Sequence, residues 1–404
     1  MASDLAAATA ITKIGYGDIH EQLDNFVVAL RKVQKGAKHL TNGNTEVQFA
    51  THMGRNQGIG ARSENETLPT ARQNKDARAS LYLRYQYGRI QGTGQVFEQV
   101  STNAQGFVDW MKREISGIKE TLERDLNRQI YGDGTGTMAL LTADASSATT
   151  ITVDDAHFVE VDMYIDVLTV GTLGNPTPTK GNSALLLVTA VNTATNVITV
   201  SGGTVTALTG SAVVRADTSV NNWNREWQGL GLIVSTSSTL HNIAPGSYPR
   251  WKAGYVESSV GTLAELDLTH LAQGIHQQGA KVTDLLTSYG VANAYWDALQ
   301  GKRQFTGTQV DSLKGGATVP VFQSVYGDIP ITLDWACPAG TAYAINTDEM
   351  YLHWTHDWQW MDKSGSMWQQ VPDKDGYSAT IFQYSNIGVF RRNAFGKLTG
   401  ITEK

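Results

Sequence analysis

One cysteine in 404 residues, Cys337, excludes any disulfide within the chain. A fold that stands without covalent staples fits a reducing compartment. Long apolar runs are also missing. None approaches the ~18 residues of a membrane-spanning helix, and the longest, such as 184–191, has the length of a strand. Residues 1–12 lack a positive start and a continuous apolar core, so neither a secretory signal nor a membrane partner is expected. Charge is scarce, at 17% of residues with a net value of -6, and a mildly acidic chain is not expected to be a dedicated nucleic-acid binder.

What is present leans towards strands. Gly, Thr and aromatic residues are plentiful, and 41% of the chain is hydrophobic, a normal globular share. Residues 46–89 read as two strands, 47–53 and 81–88, around a long polar tip at 56–79. In the second strand Leu81, Leu83, Tyr85 and Tyr87 alternate with Tyr82, Arg84 and Gln86, which places the first set on one face. A lone two-stranded ribbon is at best marginal in water. Its apolar face therefore predicts a partner, and a second subunit is the expectation. Residues 31–89 hold eleven Lys and Arg against four Asp and Glu, a segment charge of +7 that leaves −13 for the remainder. Either this basic arm docks on the acidic body of another copy, or its charges are solvated on exposed strands.

The next signal is helical. Phe107, Trp110, Met111, Ile115, Ile118, Leu122, Leu126 and Ile130 recur every three or four residues. Thr102 and Gln105 have capping-box spacing, and Asp109 with Arg113 and Glu120 with Arg124 are favourable i,i+4 pairs. The spacing predicts a helix ending at Gly132, within Tyr131-Gly-Asp-Gly-Thr-Gly136. At ~1.5 Å per residue it would be a rod of roughly 40 Å. Gly117, in its middle, serves either close packing or bending. Before the ribbon, residues 19–40 carry a shorter helical pattern ending in the basic run 31–38.

Composition changes near Leu141. Up to Asp217 only Lys180 and Arg215 are Lys or Arg, and short β-type runs at 150–153, 163–170, 184–191, 196–200 and 212–215 are separated by turn residues. This predicts a small β-barrel or sandwich inserted into another domain. From Trp223 onward helices are expected at 263–277 and 291–299. The first of these shows Leu263, Leu266, Leu271 and Ile275 on one face. Strands are expected at 282–288, 320–325, 329–335, 342–346, 351–361 and 378–391. The mixture is α+β.

Constellations that could carry chemistry are weak. His353 and His356 sit three apart in a strand and so face opposite sides, His356 with Trp354, Trp358 and Trp360; packing is the expected role. Gly132, Gly134 and Gly136 follow a helix rather than a strand, which argues against a phosphate loop. Asp373-Lys-Asp375-Gly376 lacks the rest of a calcium loop. Ser, His and Asp occur without a Gly-x-Ser-x-Gly elbow. No enzyme activity, cofactor or metal is expected.

The order of arm, basic ribbon, long amphipathic helix, Gly-rich turn and α+β body resembles the major capsid protein of tailed double-stranded DNA phages, the Hong Kong 97-type fold. Residues 102–136 look like its spine helix and turn, and Gly229-Leu-Gly-Leu232 like the return after that turn. Tyr326-Gly-Asp-Ile-Pro330, Cys337-Pro-Ala-Gly340 and residues 343–346 look like the edge of its A-domain. Gly388-Val-Phe-Arg-Arg-Asn-Ala-Phe-Gly-Lys-Leu398 resembles its closing P-domain segment. The resemblance divides the chain into an N-arm at 1–45, an E-loop β-ribbon at 46–100, and the spine helix with the start of the P-domain at 101–140. An inserted small all-β domain at 141–217 follows, and the remainder of the P-domain and the A-domain occupy 218–404.

The resemblance implies hexamers and pentamers that close an icosahedral head shell around the genome. The shell would enclose double-stranded DNA without sequence-specific binding. It places the protein in the virion capsid, assembled in the host cytoplasm. It implies a portal protein, possible decoration proteins and, because no long fused-scaffold segment precedes the arm, a separate scaffolding protein. Assembly contacts implied for the E-loop are Arg55, Arg62, Arg72, Lys75, Arg78, Leu81, Leu83 and Tyr85, and for the spine helix Phe107, Trp110, Met111, Gly117 and Leu122. Some relatives crosslink an E-loop Lys to a neighbour's Asn. Lys75 is the only Lys between Lys38 and Lys112; a solvated tip or a salt bridge is its other reading. Two alternatives to a viral shell stand beside it: an encapsulin-type nanocompartment, and a β-rich glycan-binding or hydrolytic protein favoured by the ten Trp.

Overall fold

A computed structural model describes residues 28–34, 38–39, 46–94, 104–169, 179–216, 223–300, 321–362 and 365–404. The arm before Val28, the capping residue Thr102, and the side chains of Phe107, Trp110, Met111 and the Asp109–Arg113 pair lie outside the described residues. The chain forms two compact units, one from Met1–Arg124 with Leu232–Lys404 and one from Asp125–Gly231.

The first unit is built on two sheets. In one, the 14-residue strand Gly376–Val389 pairs along one edge with Arg84–Thr93 and along the other with Met350–Trp360 and Gln369–Gln370; Lys38–His39 adds a parallel pair beyond Met350–Trp360. The inner side of this sheet meets the long helix Ala104–Tyr131, whose 28 residues match the apolar period. Contact there is tight: a Cβ on Gly88 would lie 2.9 Å from Ile118, 3.0 Å from Ile381 and 3.1 Å from Leu122. Ile90, Met367, Trp368 and Ala379 are buried at the same layer, with Ile115 and Trp360 against them. Gly117 is different. A Cβ there would meet nothing within 4 Å, so close packing is not its reason.

The second sheet runs Tyr255–Glu257, Gly396–Leu398, Ala342–Ile345, Asp284–Thr287, Gly327–Leu333 and Val321–Ser324. Its central strands Ala342–Ile345 and Asp284–Thr287 are buried throughout, as strands covered on both faces must be. Helices Glu265–Gln277 and Tyr289–Gln300 belong to this layer. The first buries Leu268, Leu271, Ala272 and Ile275; Leu266, expected on that face, is 59% exposed instead. The Asp267 carboxylate accepts the Ala264 N–H at 2.8 Å, closing the first turn. The short helix Val28–Gln34 buries Ala29, Leu30 and Val33, and Lys32 is ion-paired with Asp284.

The second unit begins with the last two turns of the long helix, from Asp125, and continues into a barrel. Strands run in the order Ala139–Leu140, Ala212–Arg215, Tyr164–Thr169, Leu186–Asn192, Val197–Ser201 and Thr150–Thr152. A bridge between Leu141 and Val153 joins the two ends, so the sheet closes on itself. Ile151, Ile165, Val167, Leu186, Val188, Ile198, Val200 and Val213 fill the interior, alternating along their strands. The helix end is held by buried charge. Arg128 donates to Asp125 at 3.0 Å and to Glu226, and Arg215 reaches Asp125 at 3.2 Å. Burial alone would raise the Asp125 carboxyl, but Arg128 and Arg215 outweigh it and hold it at about 2. For Glu226 burial prevails over Arg128, and its carboxyl is raised.

The glycine pair of Gly229-Leu-Gly231 has a steric cause. A Cβ on Gly229 would lie 2.3 Å from the carbonyl oxygens of Gln129 and Ile130, and one on Gly231 2.9 Å from that of Tyr131. Only glycine lets the returning chain lie against the open carbonyls of the helix end.

Candidate assembly surface

The ribbon is real but shorter than the sequence suggests. Glu46–Gly54 pairs antiparallel with Lys75–Tyr82, in a register that sets Val47 opposite Leu81, Phe49 opposite Ala79 and His52 opposite Asp76. The ladder stops at Tyr82. After Leu83 the chain enters a second strand, Arg84–Thr93, which pairs in the body sheet and not in the ribbon. The single strand expected at 81–88 is therefore two, and the pleat resets between them. Leu81 and Leu83 are buried, while Tyr85 and Tyr87 are 48% and 53% exposed.

The base of the ribbon has its core within its own chain, which corrects the expectation that a second subunit must supply it. Ala77, Ala79 and Leu81 are buried, and the Phe49 ring meets Phe390 edge-on at 4.9 Å and His241 at 5.8 Å. The fit of Leu81 leaves no slack: a Cβ on Gly388 would lie 2.7 Å from His353 and 2.9 Å from Leu81. Hydrogen bonds fix the same base. Ser80 N–H donates to the His241 carbonyl at 2.9 Å, and Asn386 Nδ2 to the Tyr82 carbonyl at 2.7 Å. His241 in turn accepts the Val389 N–H on Nε2 at 3.2 Å, so its imidazole is neutral with the proton on Nδ1. Burial first, then His353 and Arg392, push this imidazole down to about 3. Arg392 is itself buried and donates to the carbonyls of Leu232, Ile233, Ser238 and Trp251. Desolvation lowers its guanidinium to about 10.

The tip differs in kind. Residues 55–74 have no ladder, and their order is local: Asn56 Oδ1 accepts the Gly58 N–H at 2.7 Å, and Glu66 accepts the Ser63 N–H at 2.8 Å. Ile59 and Leu68 are 82% and 80% exposed. Arg55, Arg62, Arg72 and Arg78 all point to solvent, and among the described residues none is ion-paired. Lys75 opens the returning strand rather than sitting in the tip, and its ammonium lies 5.1 Å over the Tyr248 ring.

Of the residues singled out from sequence, Arg55, Arg62, Arg72, Lys75 and Arg78 share the ribbon's exposed surface. Leu81 and Leu83 are internal packing and cannot touch a neighbour, and Tyr85 stands on the body sheet. Leu122 packs under Gly88, and Gly117 is exposed. Sequence reasoning missed His241 and Arg392. A buried His or Arg carries no periodic signal of its own. It also mis-set the His353 strand, where irregularities at 354–356 and 356–359 bury His353 and Trp358 and expose His356. Among the described residues no three His, Cys, Asp or Glu side chains converge to hold a metal, and no helix is long and apolar enough to cross a membrane.

Residues 205–402, just under half of the chain, match the family model described as SU10 major capsid protein. No curated protein matches the sequence. Among solved structures the chain is similar to the capsid of cyanophage A-1(L), at 13% identity and a TM-score of 0.57, over 93% of this chain and 92% of that one. It is also similar to the capsid of a native GTA particle, at 10% identity and a TM-score of 0.47, over 92% and 90% of the two chains. A further similar structure is the SrpI encapsulin of Synechococcus elongatus, at 8% identity and a TM-score of 0.42, over 92% and 86%. The α+β fold is thus the Hong Kong 97-type capsid fold, and residues 205–402 are similar to the SU10 major capsid protein family.

Proposed function

We propose that copies of this chain assemble as hexamers and pentamers into the icosahedral head shell of a phage, with the ribbon tip lying over a neighbouring subunit. One observation carries this reading. The base of the ribbon is fixed by its own chain, whereas its tip projects exposed Ile59, Leu68 and three guanidinium groups. A rigid stem with an unsatisfied end is a device for reaching another molecule. The role is structural, with no catalytic step. Its mild net acidity, -6 per chain, would keep enclosed DNA from adhering to the wall. The reading calls for a portal protein and a separate scaffolding protein, leaves room for a decoration protein, and has assembly in the host cytoplasm.

The barrel is proposed as an insertion on the outer surface of the shell. Its closed strand order and private core support that placement. Deleting residues 142–216 should leave a soluble, folded remainder; an insoluble product would make the barrel part of the core instead.

Electron microscopy of the purified chain tests the main reading. Closed particles of uniform size are expected, and a chain that stays monomeric in sedimentation with any scaffolding protein present would end it. Nucleic acid inside native particles is expected; a cargo enzyme in its place would favour the nanocompartment.

A further inference from the structure

The turn Leu240-His-Asn-Ile243 is an unusual place for a buried imidazole. Leu240 and Ile243 exchange backbone hydrogen bonds at 3.2 and 2.9 Å, and the two residues between them, His241 and Asn242, have φ of 51° and 62°. Both are left-handed, the geometry of a tight hairpin turn that Asn and Gly adopt with least strain. A histidine buried in that conformation is kept there by what surrounds it, not by its own preference. The surroundings come from three separate parts of the chain. The His241 carbonyl accepts the Ser80 N–H of the ribbon at 2.9 Å, and Nε2 accepts the Val389 N–H at the end of strand Gly376–Val389 at 3.2 Å. The ring meets Phe49 of the ribbon at 5.8 Å and Trp251 at 6.3 Å. Trp251 also donates from Nε1 to the Leu240 carbonyl at 3.0 Å, which anchors the turn.

One of these bonds works only for a neutral ring. Nε2 accepts from Val389 only while it carries no proton. A proton there would set two donors against each other, and the buried Nδ1 has no hydrogen-bond partner to share the charge. The ribbon faces the imidazole with Phe49 and the Ser80 backbone, and residues 248–251 face it with Trp251, none of them charged. Strand Met350–Trp360 contributes His353 and the closing segment contributes Arg392, and both act against a positive charge. No carboxylate is among the groups that act on it. The ribbon's own His52, Lys75, Asp76 and Arg78 stand at exposed positions. Burial is the largest obstacle to the proton, and the ribbon supplies part of that burial through Phe49. The obstacle therefore falls when the ribbon lifts, since an imidazole in water takes up its proton near pH 6.5.

We propose that the His241 turn is an acid-released latch for the ribbon. Neutral, it pins Ser80 and Phe49 to the body; a proton on Nε2 breaks the Val389 bond and frees the ribbon base while the rest of the unit stays folded. The latch lies within one chain and does not depend on the reading of that chain as a shell subunit.

The test is hydrogen exchange of the purified full chain at pH 7 and pH 5, corrected for the intrinsic pH dependence of exchange. Protection of Glu46–Gly54 and Lys75–Tyr82 is expected to fall roughly 30-fold, the effect of one imidazole that is shielded when the base is closed and ordinary when it is open. Strands Asp284–Thr287 and Ala342–Ile345 of the second sheet should still be protected when the ribbon has exchanged. Simultaneous loss in ribbon and second sheet would mean that acid unfolds the unit as a whole, and an unmoved ribbon would mean that no latch opens; either overturns the proposal. His241→Gln keeps an acceptor but takes no proton in this range, so its ribbon should be equally protected at both pH values. A fall as large as that of the unaltered chain would overturn the role of His241. Should the variant be unprotected already at pH 7, NMR of the unaltered chain with 13C-labelled histidines decides. One imidazole must then titrate in step with ribbon opening, and the absence of such a titration would overturn the latch.

Discussion

The barrel and the ribbon are both made of antiparallel strands, and they treat their edges in opposite ways. The barrel brings Leu141 to Val153, leaves no open edge, and fills its interior with its own Val, Ile and Leu. The ribbon has two edges and only one covered region. Its base borrows a core from Phe390, His241 and Gly388, whereas residues 55–74 are almost all exposed. The difference teaches where the chain covers its own strands and where, on the proposed reading, another copy would cover them. A closed barrel gains stability locally, whereas a stem with a bare end converts subunit stability into reach.

The comparison can be broken or sharpened by substitution. The largest effect is expected in the helix end of the barrel unit. Arg128→Met leaves Asp125 and Glu226 buried without their main counter-charge, and should destabilise that unit by about 3–5 kcal/mol. Hydrogen exchange of the barrel strands would register it, and unchanged protection would show that the cluster is not held by Arg128. Next comes the ribbon base. Leu81→Ala should cost about 2–5 kcal/mol in urea denaturation, because Leu81 is fully buried against the body. Leu68→Ala, at the exposed tip, should shift the same midpoint by less than about 0.5 kcal/mol. Equal costs at the two positions would erase the distinction between base and tip.

A smaller effect is expected from pH. His241 has its imidazole depressed to about 3 in the folded chain, so the unfolded chain binds the extra proton as pH falls below about 6.5. This share of stability is fully present above that pH. It declines by about 1.4 kcal/mol per pH unit until the folded value is reached. Denaturation between pH 4 and 6 should therefore be less pH-dependent in His241→Gln by about that slope; parallel curves would refute a neutral His241 at the ribbon base. A modest gain is expected from Gly117→Ala, which should stabilise the helix by about 1 kcal/mol, since the added methyl meets nothing. A loss of stability there would mean that the helix needs the glycine's freedom to bend.

How far the sequence reaches depends on what sets each element. The long helix ends at Tyr131, before the Gly132 that the pattern marks, because a 3.6-residue period is a local property and a glycine ends it locally. The strands of the barrel are legible for the same reason, between turn residues. The ribbon is not. An unbroken alternation from Leu81 to Tyr87 cannot show that Leu83 separates two ladders, because both ladders keep period two while exchanging partners. Likewise the alternation in Met350–Trp360 is spoiled by irregular pairing that only the facing strand imposes. Of the candidate surface, the basic residues could be read from composition. Which residues are stem and which belong to the body sheet could not, because that depends on pairings across some 300 residues of chain, such as Tyr85 with Tyr384.

One hydrogen bond has a consequence for how such a chain can vary. Gly231 N–H donates to the Gly132 carbonyl at 3.1 Å, so the polypeptide leaves and returns through a single point. Everything between these two glycines is a closed excursion whose ends are clamped whatever its length. The entropy of closing a loop grows only slowly with the residues it contains, about 0.6 kcal/mol per doubling. The glycine clamp thus fixes both ends of the excursion at one point, so a change in its length would carry only this small closure cost.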